Sequence, residues 1–233
     1  MENLVKPTIV CLSGRYYIYR LLHRVFSGAP DISMLKVITG KHTDEVLELL
    51  LGKESARNVY LSLEPIRAAL SANAEGILLA LSDEYTSLLI GPSDDFVPPW
   101  ASVYNGGDRT LFQESTLQVR RKYFQHHLQS VNYPHEADDH IALELDFMTV
   151  LSRLSLDCFE QQRMTQFKEL IDEQRSFLTQ HMLTWLPAFS EKLQSSGRCV
   201  LYPLIAALTC QILCADSALL REIAGTQAKY AQE

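Results

Sequence analysis

The chain of 233 residues is acidic and rich in apolar residues, with 47% hydrophobic residues and a formal net charge of −7. That apolar content supports one large folded domain or two small ones and excludes wholesale disorder. The negative charge disfavours nucleic acid and anionic membranes as partners and favours a basic ligand.

Cysteine usage and hydropathy indicate the compartment. The five cysteines are odd in number and form no C-x-x-C pair, which is typical of reduced thiols in the cytoplasm. The first residues, MENLVKPTIVCLSG, contain no sustained apolar region, so we expect no secretory signal. The longest nearly apolar run, 200–215, is shorter than the ~20 residues that span a bilayer. The sequence therefore predicts a cytoplasmic protein without stable membrane insertion.

Helical periodicity dominates the chain, and no strand pattern of several alternating residues occurs. The first helix should end near Gly28 and Pro30, and Gly52 should end a later one. Predicted helices follow at about 56–72, 75–90, 110–128, 141–151, 162–182, 185–195 and 202–229. The prediction is an all-α fold, a single helical domain of about nine or ten helices.

The stretch 129–137, QSVNYPHEA, is the best candidate boundary along the chain. It divides the predicted helices into an N-terminal half, 1–128, and a C-terminal half, 138–233. A linker in this place is also a candidate hinge for a domain-swapped dimer, the alternative to a monomer.

The predicted loop 91–110 is unusually apolar, because it carries Phe96, Val97, Pro98, Pro99, Trp100, Val103 and Tyr104. Loops are usually polar because their backbone faces water. One interpretation is a lid whose aromatic side chains cover the core beneath it. The other is an apolar platform, stiffened by two prolines, that receives an aliphatic or helical peptide.

Acidic residues are concentrated in two stretches without lysine or arginine. Residues 68–108 contain Glu75, Asp83, Glu84, Asp94, Asp95 and Asp108, and residues 123–152 contain Glu136, Asp138, Asp139, Glu144 and Asp146. Brought together by the fold, these carboxylates would attract a cation and accept the paired N–H groups of an arginine. The alternative is a set of solvated faces and helix-start acids.

A histidine cluster invites a metal interpretation, because His126, His127, His135 and His140 lie within 15 residues beside several carboxylates. Their spacing fits poorly, since adjacent histidines point to different helix faces and no H-E-x-x-H occurs. Asp139 as the N-cap of the following helix explains the same letters more simply. No phosphate loop or nucleophile motif occurs either, so we expect no catalytic residues, no metal and no cofactor.

Two segments resemble the TorD/DmsD/NarJ-type redox enzyme maturation chaperones. GPSDDFVPPWASVYNGGDRTLFQEST (91–116) is similar to their G-P…P-P-W-x-S-V-[YW] segment, and YPHEADDHIALELDFM (133–148) is similar to their acidic D-H-[IF] motif. RYYIYRLLHRVFSGAPD (15–31) and HMLTWLPAFSEKL (181–193) resemble other stretches of the family, so the resemblance covers nearly the whole chain.

The resemblance implies a non-enzymatic, TorD-like, all-helical chaperone. Such a protein binds the twin-arginine leader, and also the apo form, of a molybdopterin-containing oxidoreductase until cofactor insertion and export; the Tat translocase is a further candidate partner. The implied leader-binding residues are Tyr85, Leu89, Pro99, Trp100, Tyr104, Asp139, His140 and Glu144. If both motifs form one site, Trp100 and Tyr104 should lie near Asp139 and His140. The alternatives are a metal-dependent hydrolase using residues 126–140 and a helical interaction module that binds no leader.

Overall fold

The protein is described by a computed structural model, which covers residues 2–105, 114–130, 137–197 and 200–230. Its helices are α1 (Glu2–Phe26), α2 (Ile32–Ile38), α3 (Lys41–Leu51), α4 (Lys53–Ala72), α5 (Ala74–Tyr85), α6 (Ser102–Asn105), α7 (Glu114–Gln125), α8 (Ile141–Glu160), α9 (Met164–Phe177), α10 (Leu183–Ser195) and α11 (Tyr202–Tyr230). Two π-helical turns, Thr86–Ile90 and Leu178–Met182, follow α5 and α9. Within these ranges the predicted all-α single domain is confirmed, with ten helices of seven residues or more.

Helices α1 and α8 form the centre of the domain, and both contribute side chains without solvent exposure. Their contact includes a hydrogen bond between His23 Nδ1 and the carbonyl oxygen of Ala142, at 2.9 Å. Because residues 131–136 lie outside the described part, the division of the chain at 129–137 and its role as a hinge stay predictions.

A buried polar network connects helices α1, α9 and α11. The Arg15 guanidinium on α1 donates to Gln174 Oε1 on α9 at 2.8 Å and to Asp216 Oδ2 on α11 at 2.9 Å. The hydroxyl of Tyr19 donates to the same carboxylate at 2.6 Å. Burial of an arginine is tolerable only with such a partner, because an isolated charge loses its hydration.

The apolar part of helix α11 is longer than the sequence-based estimate of the longest apolar run. Its stretch Tyr202–Gly225 is 24 residues long and apolar enough to cross a membrane by length and composition, which the shorter run 200–215 did not indicate. However, 56% of its most apolar window is buried inside the protein. Residues such as Ile205, Ile212 and Leu213 belong to the hydrophobic core, so this helix fits the core of a soluble protein.

Helix α5 has a buried and an exposed side, and both matter for the site. Leu81 and Glu84 are buried, whereas Glu75, Leu79 and Asp83 are exposed. Glu84 reaches the start of α11, where its two carboxylate oxygens accept the N–H groups of Val200 at 2.8 Å and Leu201 at 2.9 Å. This acid satisfies backbone donors that the helix itself leaves unpaired, and it anchors α5 to the body of the protein.

Candidate peptide-binding site

The apolar loop and the start of α8 are joined by their backbones. Ile141 N–H donates to the carbonyl oxygen of Pro99 at 2.9 Å, and Ala101 N–H donates to that of Asp139 at 3.0 Å. These bonds make an isolated antiparallel bridge between Trp100 and His140, whose rings meet edge to face with centroids 5.4 Å apart. The expected convergence of the two motifs is therefore confirmed.

Asp139 is fully buried and holds the loop rather than its own helix. One carboxylate oxygen accepts the N–H of Ser102 at 2.6 Å, at the first residue of α6, and the other accepts the hydroxyl of Thr116 on α7 at 3.1 Å. The N-cap of α8 is His140 instead, so the sequence-based assignment of Asp139 as that cap was wrong. Both oxygens of Asp139 are therefore already engaged inside the protein.

His140 caps α8 through its imidazole, because Nδ1 accepts the N–H of Ala142 at 3.1 Å. Only an unprotonated Nδ1 can accept this bond. Burial lowers the pKa of His140 from 6.5 to about 4, although neighbouring Asp139 opposes the shift. At neutral pH this residue is an uncharged acceptor.

Glu144 lies one turn further along α8 and is completely buried. Its Oε2 accepts the indole N–H of Trp185, also fully buried, at 3.0 Å, and its Oε1 has no hydrogen-bond partner among the described residues. Burial raises the pKa of Glu144 well above 4.5, the Trp185 bond opposes that shift, and Asp139 adds to it. Burial therefore favours the uncharged form of this carboxyl over the charged one, and sequence reasoning gave no sign of this.

An aromatic cluster surrounds the site and includes two of the implied residues. Tyr104 packs against Trp185 and Phe189 with ring centroids 5.5 and 6.2 Å away, and its hydroxyl donates to the carbonyl of Pro98 at 2.9 Å. Tyr85 packs against Tyr202 at 5.3 Å. The two tyrosines are linked through the contacts of Tyr202 and Phe189 with Phe26, at 6.5 and 6.3 Å.

The loop covers part of the core and also leaves some aromatic side chains partly exposed. Val97, Pro99 and Ala101 are buried, and Val97 N–H donates to the carbonyl of Leu88 at 2.8 Å, so these residues cover the core as a lid would. Leu89 is buried as well. Trp100, Tyr104, Tyr85 and His140 remain partly exposed, and the buried Trp100 Nε1 has no acceptor among the described residues. A solvent-reachable aromatic surface thus lies over buried supports.

The histidines do not assemble as a metal site within the described ranges. His126 Nε2 lies 2.8 Å from Glu173 Oε2 on α9, and no group of three metal-ligating side chains occurs in the part of the chain the structure describes. His135 is outside those ranges, as are Asp108, Glu136 and the predicted helix start at 110–113.

Several acids of the two base-free stretches serve the fold. Arg120 Nε on α7 donates to Asp138 Oδ2 at 2.6 Å, and Glu84 caps α11. Sequence reasoning missed these partners, together with Trp185, because each lies in a distant helix. Asp94 and Glu75 are exposed in both the sequence-based interpretation and the structure.

The fold and the site define an all-helical protein in which a partly exposed aromatic surface is supported by buried, internally hydrogen-bonded acids. Comparison with known proteins agrees with this class. The model of the nitrate reductase delta subunit family matches residues 53–191, more than half of the chain. The chain belongs to this family, which includes the TorD and NarJ chaperones.

Individual relatives carry chaperone names. Chaperone protein TorD of Vibrio cholerae serotype O1 is 28% identical over 185 residues, covering 78% of this chain and 82% of that protein. The probable Tat proofreading chaperone DmsD of Haemophilus influenzae is 29% identical over 139 residues, covering 60% of this chain and 61% of that protein. The chain is accordingly a chaperone and not an enzyme.

Proposed function

We propose that this chain is a cytoplasmic chaperone for a molybdopterin-containing oxidoreductase, and that it binds the client's twin-arginine leader, and also its apo form, until the cofactor is inserted and the enzyme is exported. Family membership supports the chaperone class, and one similar protein carries the name of a Tat proofreading chaperone. The metal-dependent hydrolase gains no support from the pairing of His126 with Glu173.

The observation that carries the proposal is the junction between Trp100 and His140. Two separate sequence motifs meet there through three links: two backbone hydrogen bonds and one ring contact. The partly exposed indole ring of Trp100 supplies apolar area on which a bound peptide can lie. Tyr85, Tyr104 and His140 extend this surface, while Leu89, Pro99, Asp139 and Glu144 hold it in shape from below.

Such a surface suits the apolar stretch that follows the arginine pair of a leader. Helical peptides bind by laying an apolar face on apolar and aromatic side chains, and aromatic anchors commonly dominate the affinity. Buried supports pre-organise those anchors, which lowers the entropic cost of binding.

The test is the affinity of a labelled leader peptide, containing two arginines and an apolar tail, for wild type and for Trp100→Ala. We expect the variant to weaken Kd roughly 30- to 1,000-fold, the range for a buried aromatic anchor. The loss should appear mainly as faster dissociation, and it should change little with salt because apolar contacts are not screened. Trp100→Phe, which keeps an aromatic ring, should recover most of the affinity.

Leu154→Ala is the matched control, because Leu154 is also a large apolar side chain with some exposure on α8, about 20 Å along the helix from His140. It should bind like wild type. Normal binding by a folded Trp100→Ala protein would show that Trp100 is only a core residue. Failure of wild type to bind any leader peptide would leave the interaction module without leader binding as the function, and capture of the client from anaerobically grown cells is the independent check.

A further inference from the structure

The buried acids of the site leave the arginine pair of a leader without an obvious partner. Asp139 and Glu144 have no solvent exposure, and three of their four carboxylate oxygens accept hydrogen bonds from within the protein. Pairing either of them with an arginine from outside would require burying that guanidinium as well, which costs several kcal/mol of hydration. A binding site for two arginines therefore has to use other carboxylates.

The outer face of α5 provides such carboxylates. Because Leu81 and Glu84 face inward and are buried, Glu75, Leu79 and Asp83, which are spaced by four residues, share the opposite side. Leu79 is 74% exposed, more than any other large hydrophobic side chain in the described part of the chain. A single exposed leucine is common on a protein surface, so its significance depends on the residues that lie beside it.

The chain runs from α5 through the π-helical turn into the loop of the aromatic site, and both of these segments carry exposed side chains. Ile90, at the end of the π-helical turn, is 58% exposed, and Asp94 in the following loop is exposed as well. The loop is folded back on the turn, because the Ser93 hydroxyl donates to the carbonyl of Ser87 at 2.7 Å. Six residues separate Asp94 from Trp100, a span of at most about 20 Å even when fully extended.

Charge and shape together specify the occupant. Residues 68–108 contain no lysine or arginine, so Glu75 and Asp94 have no basic neighbour within the same stretch. Arginine presents a guanidinium fork that pairs with carboxylates and an aliphatic stem that packs on apolar side chains. Alternating acids and aliphatic side chains match both parts of that residue.

We propose that the arginine-bearing end of the leader docks on the outer face of α5 and the adjoining loop, formed by Glu75, Leu79, Ile90 and Asp94, while the apolar stretch lies over Trp100. This inference rests on the proposed function, and it assigns the two halves of the leader to two neighbouring surfaces. Glu84, held by the start of α11, fixes α5 so that this outer face keeps its orientation.

The experiment compares two double variants with the same change in net charge. Glu75→Gln/Asp94→Asn removes two acids from the outer face of α5, and Glu169→Gln/Glu191→Gln removes two exposed acids from α9 and α10. Association of the labelled leader peptide is measured by stopped flow at low and high salt. We expect the first variant to associate roughly three- to tenfold more slowly at low salt and to lose most of its salt dependence, whereas the second should stay within about twofold of wild type.

A peptide with two lysines in place of the arginines and the variant Leu79→Ser/Ile90→Ser complete the design. The lysine peptide should bind wild type more weakly, because it cannot form the paired hydrogen bonds of the guanidinium. The serine variant should weaken Kd roughly tenfold. The losses caused by the lysine peptide and by the serine variant should both be much smaller in the Glu75→Gln/Asp94→Asn background, because all of these changes remove the same contact between leader and α5.

The outcomes separate this inference from the proposed function. Equal slowing by both charge variants would overturn the inference, because it would reflect net charge alone. Normal leader binding by all the α5 variants would also overturn it while leaving the leader-binding function intact. If sedimentation shows that Leu79→Ser/Ile90→Ser converts a dimer into monomers without affecting leader affinity, the face is an interface between copies of this chain and the inference is wrong. Failure of wild type to bind leader would defeat the proposed function itself.

Discussion

His140 should make the stability of this protein depend on pH in a specific window. Its neutral imidazole accepts the N–H of Ala142, and burial lowers its pKa from 6.5 to about 4. As the pH falls, the unfolded chain binds the proton near pH 6.5, whereas the folded protein resists it until about pH 4. The free energy of unfolding contributed by the neutral side chain is therefore complete above pH 6.5 and is lost between pH 6.5 and 4.

The size of the effect follows from the shift. Each pKa unit corresponds to about 1.4 kcal/mol, so a depression from 6.5 to about 4 amounts to about 3 kcal/mol, of which about 2 kcal/mol is lost by pH 5. His140→Asn keeps an N-cap acceptor but does not titrate. Glu144 acts in the opposite direction, since its raised pKa stabilises the folded state as the pH falls, but its contribution is common to both proteins and cancels in their difference.

The assay is urea unfolding of wild type and His140→Asn between pH 7.5 and 5, followed by circular dichroism at low protein concentration. The difference in free energy of unfolding should change by about 2 kcal/mol in favour of the variant over this range. A parallel NMR titration of the imidazole should find its pKa well below 6.5. A constant difference across the range, with an imidazole that titrates near 6.5, would refute both the burial argument and the neutral cap.

Three further variants test the buried polar contacts by thermal and urea unfolding. Asp139→Ala should lose about 1–3 kcal/mol more than Asp139→Asn, because asparagine keeps an oxygen for the N–H of Ser102; equal losses would contradict the loop-holding role. Glu84→Ala should cost about 1–3 kcal/mol and speed amide exchange at the start of α11, whereas unchanged exchange would remove its capping role. Arg15→Met should cost about 3–5 kcal/mol, and Arg15→Met/Asp216→Leu much less, since only the single variant leaves a buried charge unpaired.

Local signals in the sequence predicted the helices well. Gly52 and Gly91 end their helical segments with φ of 78° and 70°, a backbone conformation that glycine adopts without strain. The ends of these helices could therefore be predicted from the positions of glycine in the sequence. The Pro98-Pro99-Trp100 and Asp139-His140 motifs also converge as expected. The resemblance to a family supplied this expectation, because composition alone does not say which segments of a chain meet in space.

Contacts between residues that are distant in sequence could not be predicted in the same way. Asp139 precedes a helix, so the N-cap rule assigns it to that helix. In the fold it instead accepts the N–H of Ser102, which is 37 residues away in sequence. Sequence reasoning assigned Glu144 to a contact with arginine. In the fold it is buried and accepts the indole N–H of Trp185, which lies 41 residues further on. Acids look alike in a sequence, and only the three-dimensional fold separates those that remain in water from those that are enclosed.

The link between Arg15 and Asp216 has a consequence for the timing of folding on the ribosome. The two residues are 201 positions apart. At about 5–20 residues per second, synthesis reaches Asp216 roughly 10–40 s after Arg15. During that interval Arg15 on α1 has no carboxylate partner, so this buried polar network closes only after α11 has been made. A nascent chain that is stalled ahead of α11 would therefore present an unfinished core to the cell's quality control.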